Sequence, residues 1–228
     1  MKLARFEAGN RVYYGEVRDG EVFVLEGDIY GNYTQKGDKY NLDQVKLLAP
    51  VIPGKIICIG MNYLSHILEI RDKVPIPEEP VIFMVSPTAV IGPDEPIILP
   101  YPENVVQHEA ELAVVIGREG RDIPVEQAAR HILGYTCGND VSDRILQKKD
   151  GQFCRAKSFH TFKPLGQYIV TGLDPRNCRV QCRVNGELRQ DGHTRDLIKD
   201  VYNLVSYISE IMTLYPGDVI MTGTPAGV

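Results

Sequence analysis

Two dipeptides constrain the architecture of this chain more than any other feature. Asp19-Gly20 separates the strand-like runs Arg11–Val17 and Glu21–Leu25, and Asn185-Gly186 separates Arg179–Val184 from Glu187–Gln190. Both pairs suit the positive φ angles of a two-residue hairpin turn. Strands outnumber helices and do not alternate regularly with them, which disfavours a doubly wound parallel sheet, and no Gly-rich dinucleotide fingerprint opposes that reading. The expected fold class is α+β, mostly β.

Two segments read as helices. Leu197, Val201, Leu204, Val205, Ile208, Ile211 and Met212 trace one helical face, closed by Pro216-Gly217. Val125, Ala128, Ala129 and Ile132 recur at helical spacing between Pro124 and Gly134. The stretch from Gly27 to Tyr40 is polar and Gly-rich and leads to the apolar strand Lys55–Gly60, so a boundary near residue 52 is expected. It divides a small N-terminal β domain, 1–52, from a main domain, 53–228. Pro75, Pro77 and Pro80, among the charges that follow Arg71, exclude a helix interior and predict an exposed loop able to act as a lid.

Composition narrows the function classes. The 228 residues are 43% apolar and 24% charged, enough to bury a sizeable core without a disulfide or a metal, so a bound metal would serve function. With 25 basic and 30 acidic side chains the net charge is −5 and neither sign forms a block, which argues against a nucleic-acid partner. The longest apolar runs fall far short of the ~20 residues of a membrane span. The charged N-terminus lacks a signal-peptide core, and the five scattered cysteines suit free thiols in a reducing compartment. A cytoplasmic location is the expectation.

The chemistry concentrates on carboxylates. In His108-Glu-Ala-Glu-Leu-Ala-Val-Val-Ile-Gly117 a period of two places Glu109 and Glu111 on one strand face and His108 on the other. Two like charges ~7 Å apart on a strand repel unless solvated or bridged by a cation, and hard oxygen donors suit Mg²⁺, Mn²⁺ or Ca²⁺. A solvated strand face is the competing reading of the pair alone. Asp140, at the turn ending the strand Gly134–Asp140, offers a third carboxylate. His66 and Glu69 stand three apart after the strand Lys55–Gly60, neighbours on a helical turn. A carboxylate beside an imidazole makes a water-activating base; an ordinary exposed pair is the alternative. Arg144, Gln147, Arg155 and Lys157 supply donors for a substrate carboxylate or a developing oxyanion, and Thr222–Gly227 is a small-residue turn that a ligand can approach closely.

Taken together and in order, Gly60-Met-Asn-Tyr-Leu-Ser-His66, Glu109–Gly117, Gly134–Ser142, Arg155-Ala-Lys-Ser-Phe159, Val184-Asn-Gly-Glu-Leu-Arg-Gln190 and Pro216–Val228 resemble the fumarylacetoacetate hydrolase family, over about residues 50–228. The resemblance implies a β-sandwich roll, commonly dimeric, that uses Mg²⁺ or Mn²⁺ on small 2-oxo acids. It makes Glu109, Glu111 and Asp140 the metal ligands. His66 with Glu69 becomes the dyad on a mobile lid element, and Lys157 an oxyanion or enolate stabiliser. Arg144, Gln147 and Thr224 would hold the pyruvyl end of the substrate.

Three departures from the family pattern are visible. Asp143 and Ile145 flank Arg144 where Ala and Asp are usual, and Phe153 stands where many members have Trp. Relatives continue beyond the Gly-Thr-Pro-x-Gly-Val motif for further strands, so strands completing the roll are expected after Val228; without them a sheet edge would be exposed. Retention of the His66/Glu69 pair makes hydrolysis of acylpyruvate-like 2,4-diketo acids the expected reaction. The alternatives are a 2-hydroxyhepta-2,4-diene-1,7-dioate isomerase or oxaloacetate decarboxylase on the same site, and a catalytically silent 2-oxo-acid binding protein.

Overall fold

The computed structural model describes residues 1–70 and 75–228. Its N-terminal part is a meander of β1 (Lys2–Ala8), β2 (Arg11–Arg18), β3 (Glu21–Gly27) and β4 (Tyr33–Asn41), with β5 (Lys46–Leu48) returning to pair β1. The main part opens with β6 (Ile56–Gly60), helix α1 (Leu64–Glu69) and β7 (Val81–Val85), followed by the short β8 (Val90–Ile91) and β9 (Val106–Gln107). Then come β10 (Ala110–Ile116), β11 (Ile132–Asn139), β12 (Ser142–Asp143), α2 (Arg144–Asp150) and α3 (Cys154–Lys157). The chain continues through β13 (Lys163–Pro164), β14 (Ile169–Val170), β15 (Arg179–Val184), β16 (Glu187–His193), α4 (Val201–Ile211) and β17 (Val219–Met221).

One mixed sheet dominates, in the order β4-β3-β2-β1-β14-β11-β10-β17-β6-β7. Its centre is buried on both faces. Ile57, Leu112, Val114, Ile116 and Ile220 pack under Val201, Leu204, Val205 and Ile208 of α4, while Ile56, Ala113, Val115, Val219 and Met221 face Leu3, Leu165 and Ile169. Each Val, Leu, Ile or Met among them contributes on the order of 1.5–3 kcal/mol when fully buried, and burial on both faces is why these strands read as continuous apolar runs. Among the described residues no helix is long and apolar enough to cross a membrane.

Both hairpin turns form with left-handed backbone, Asp19 and Gly20 at φ 48° and 80°, Asn185 and Gly186 at 52° and 82°. Three local expectations change. The polar stretch 27–40 contains β4, whose residues are almost all exposed because it is the sheet's edge; with no buried face it carries no apolar alternation, and its charges suit an edge. The segment after Pro124 is a 3₁₀ turn, Val125–His131, and Ile132 already belongs to β11. The long helix is shorter than its apolar pattern, because Asp200 caps it by accepting the Asn203 N–H at 2.9 Å.

The expected boundary falls in irregular chain between β5 and β6, yet β1 pairs β14, so the N-terminal strands continue the same sheet. Of the lid loop, residues 71–74 lie outside the described residues; 75–80 is irregular and mostly exposed.

Gly134 sits where β11 meets β14. A Cβ there would lie 2.6 Å from the Val170 carbonyl oxygen and 2.7 Å from Ile169 Cγ2, and backbone cannot step aside. Gly134→Ala should therefore cost ~1–3 kcal/mol, read as a lowered melting temperature of ~2–4 °C per kcal/mol.

Candidate active site

The antiparallel pairing of β10 with β11 places Ala110 opposite Asn139 and Glu111 opposite Gly138. Just beyond that ladder the Asp140 N–H donates to the Glu109 carbonyl at 2.9 Å. Three carboxylates from two neighbouring strand ends thus converge. Glu109, Glu111 and Asp140 are all buried, and among the described residues they form a group whose ligand oxygens lie within 4.8 Å of one another. The competing picture of a solvated strand face is excluded by that burial.

Cations compensate two of the three. Lys157, presented by α3, places Nζ 2.7 Å from Glu109 Oε2 and 2.6 Å from Asp140 Oδ2 with its side chain 5% exposed. Arg144, the first residue of α2, pairs with Glu109 Oε1, and Lys163 Nζ lies 2.6 Å from Asp140 Oδ1. Burial alone would raise the Glu109 carboxyl, but Lys157 and Arg144 outweigh it and hold it below the ordinary range. Burial likewise opposes ionisation of Asp140, and Lys157 with Lys163 overcomes it. The same two carboxylates, against the cost of burial, lift the Lys157 ammonium above the ordinary lysine range.

Glu111 differs. It accepts the Gly223 N–H at 2.8 Å, and no ammonium or guanidinium among the described residues pairs with it. Burial first, then Asp140 and Glu109, push its carboxyl well above the usual range. An all-oxygen donor set containing one buried carboxylate without a counter-charge fits a hard divalent cation.

One cavity of about 520 Å³ gathers these groups with His66, Glu69, Gln107, Arg144, Gln147 and Thr224. Every residue singled out from the sequence as a ligand, a base or a substrate contact lines it, except Arg155. His66 and Glu69 share a helical turn in α1, but their nearest atoms, Nδ1 and Oε2, are 3.6 Å apart, too long for a hydrogen bond. Glu69 instead accepts the Gly227 N–H at 3.1 Å. Burial holds the His66 imidazole below its ordinary pKa, with Arg144 adding to that effect and Glu109 and Glu69 opposing it, so it is neutral near pH 7.

Arg144 donates from Nε to Gln107 at 2.5 Å and from Nη1 to Gln147 at 2.8 Å. Thr224 lines the cavity, but its hydroxyl is engaged, donating to the Ala110 carbonyl at 2.9 Å and accepting from Gln190 at 2.7 Å. Arg155 is elsewhere, paired at the surface with Asp150.

The departures around Arg144 lie off the cavity: Asp143 is the buried N-cap of α2, accepting from Leu146 N at 3.0 Å and Asn104 Nδ2 at 2.7 Å, and Ile145 is exposed. Phe153 is a cavity wall, edge-on to Phe83 at 4.9 Å. Sequence reasoning missed Gln107 and the fully buried Lys163. A lysine inside the apolar run Thr161-Phe-Lys-Pro-Leu165 is the one signal that could have pointed to the latter.

The model of the fumarylacetoacetate (FAA) hydrolase C-terminal family matches residues 55–228. The chain belongs to the fumarylacetoacetate hydrolase family. A second model, Rv2993c-like N-terminal, matches residues 1–50.

Among relatives in the family, an uncharacterized protein of Archaeoglobus fulgidus is 51% identical over 227 residues, 99% of this chain and 86% of its own. The mitochondrial oxaloacetate tautomerase fahd2 of Xenopus laevis is 47% identical over 190 residues, 81% of this chain and 59% of its own. Two solved structures carry the same fold over the whole chain. The 5-carboxymethyl-2-hydroxymuconate delta-isomerase of Mycobacterium smegmatis has TM-score 0.92 and 45% identity, with 89% of that chain covered. The maleylpyruvate hydrolase of a Sphingobium species, in complex with manganese(II) and pyruvate, has TM-score 0.80 and 30% identity, again with 89% covered. Members of the family thus include hydrolases, isomerases and tautomerases, and the mostly β roll expected from the sequence is the family fold.

Proposed function

We propose that this chain is a divalent-cation-dependent enzyme of small 2-oxo acids that works by enolising its substrate, shifting a proton beside the 2-oxo group as a tautomerase or double-bond isomerase does. The observation that carries this reading is the convergence of three buried carboxylates, one lacking a counter-charge, with an ammonium and a neutral imidazole in one cavity. Mg²⁺ or Mn²⁺ held by Glu109, Glu111 and Asp140 would supply Lewis acidity toward the 2-oxo acid. Lys157, a fixed ammonium, would stabilise negative charge on the enolate oxygen. Of the five N–H groups of Arg144, three are used within the protein, leaving two for a substrate carboxylate beside Gln147. His66, neutral near pH 7, would move the proton. The tautomerase and isomerase relatives, at 47% and 45% identity, support this order of readings.

The hydrolytic reading expected from the sequence keeps a specific support, the His66/Glu69 neighbours within the same cavity. In that case water adds to the distal carbonyl of an acylpyruvate-like 2,4-diketo acid, the carbon–carbon bond breaks, and the pyruvyl fragment leaves as its enolate. The same proposal includes a homodimer in the cytoplasm as the working state. The exposed apolar side chains of Ile98, Leu99 and Tyr101 offer surface for such a contact.

Product analysis separates the two. With Mg²⁺ or Mn²⁺ the protein should accelerate enol-to-keto conversion of oxaloacetate, and EDTA should remove the effect. Stoichiometric acetate and pyruvate from acetylpyruvate as the dominant activity would overturn this order and establish the hydrolase. His66→Ala should lower turnover by ~10²–10⁴-fold. Because burial lowers the His66 pKa, the acid limb of the wild-type profile should fall below the ordinary imidazole value of ~6.5, turnover being lost as pH falls and the base protonates. A limb at or above that value would count against His66 as the base.

A further inference from the structure

We infer that Gln190, on the β15–β16 hairpin outside the main sheet, is a positioning residue that sets the Thr222–Gly227 segment and through it both Glu111 and Glu69. Its side chain is wholly buried. Oε1 accepts the Ala110 N–H at 2.9 Å and lies 3.1 Å from His108 Nδ1. Nε2 donates to Thr224 Oγ1 at 2.7 Å and to the Pro225 carbonyl at 2.8 Å. Ala110 N–H can meet only the amide oxygen and the Pro225 carbonyl only the amide nitrogen, so the orientation is fixed by its neighbours and all four hydrogen-bonding positions are used.

The strand beneath is shaped to receive the segment. A Cβ on Gly192 would lie 2.4 Å from Pro225 Cβ, and one on Gly227 would lie 2.0 Å from the Arg189 carbonyl oxygen. Two backbone N–H groups of the segment so held reach the cavity, Gly223 to Glu111 at 2.8 Å and Gly227 to Glu69 at 3.1 Å. The Thr222 carbonyl is also held, by Asn62 Nδ2 at 2.8 Å, so Gln190, with no atom lining the cavity, acts on Gly223 and Glu111 through Thr224 and on Gly227 and Glu69 through Pro225.

The consequence for metal rests on the reading of Glu111 as a cation ligand; the hold on the segment does not. Gln190→Glu keeps the shape but turns an oxygen toward the Pro225 carbonyl, and Gln190→Met keeps the length without an amide. On the full chain without substrate, each should weaken Mn²⁺ binding by ~10–100-fold, the usual effect of losing a partner behind a metal ligand. Each should also speed amide exchange at Gly223 and Gly227. Val24→Ala, in the separate N-terminal core, should lower the melting temperature and change neither reading. Unchanged Mn²⁺ affinity and exchange in both Gln190 variants, or the same losses in Val24→Ala, would overturn the inference. Absence of Mn²⁺ binding by the wild type, with the exchange difference intact, would remove the cation reading and leave Gln190's hold on the segment standing.

Discussion

Glu111→Gln should lower turnover by about 10³-fold and at the same time make the metal-free protein more stable. The wild-type carboxylate is buried without a counter-charge and its pKa is raised, so the folded state retains the proton where the unfolded chain has released it. Stability from this group is therefore present at low pH and is lost as pH rises from the unfolded value of ~4.3 toward the raised folded value. Glutamine has the same shape and can still accept from Gly223, but carries no charge. The metal-free variant should melt a few degrees above wild type, on the scale of ~2–4 °C per kcal/mol for a chain of this size, with the gap widening as pH rises through that window. Adding Mn²⁺ should reverse the ranking, since only the wild type has the full ligand set. Losing several kcal/mol of charge stabilisation in the transition state corresponds to about 10³-fold in rate. Calorimetry with and without Mn²⁺ across pH 5–8 is the check; a variant that stays active and melts no higher than wild type without metal would sink the assignment of Glu111.

Lys157→Met should act in the opposite sense on the metal-free fold. Nζ pairs with both Glu109 and Asp140 at a nearly solvent-free position, and removing one member of a buried ionic network costs ~3–5 kcal/mol because the partners are left uncompensated. A fall of roughly 10 °C in melting temperature follows from the size scaling. Divalent cation should stabilise this variant by more than it stabilises the wild type, the added charge taking over part of the lost compensation. Turnover should stay reduced by ~10²–10³-fold even when the cation restores the fold, because the donor toward the enolate oxygen is gone. Recovery of full activity on adding Mn²⁺ would limit Lys157 to a structural part.

These expectations depend on a site whose parts were unequally legible. The carboxylates were visible because strand periodicity fixes that Glu109 and Glu111 share a face, and a turn at the end of the next strand presents Asp140. Their proximity was not, since spacing says nothing of which strands pair. His66 and Glu69 were visible as neighbours on one turn, but the preference of Glu69 for the Gly227 N–H depends on a segment more than a hundred residues away. Lys163 and Gln190 were opaque as site-supporting groups. Each is a polar residue whose partners spacing cannot reveal: Lys163 meets Asp140 and the Lys157 carbonyl, and Gln190 meets Ala110, Thr224 and Pro225. Among the elements, β4 and the turn after Pro124 escape the hydrophobic pattern, because an edge strand buries no face and apolar spacing cannot tell a 3₁₀ turn from an α-helix.

The pairing of β1 with β14 bears on how such proteins can be recombined. The N-terminal part lends Leu3, Leu25, Ile29 and Val51 to the core beneath the main sheet and pairs with β14. A relative that discarded or exchanged these fifty-odd residues would have to supply four apolar side chains and a new neighbour for that strand. The small part is thus a fitted component of the main sheet, even though separate family models match residues 1–50 and 55–228.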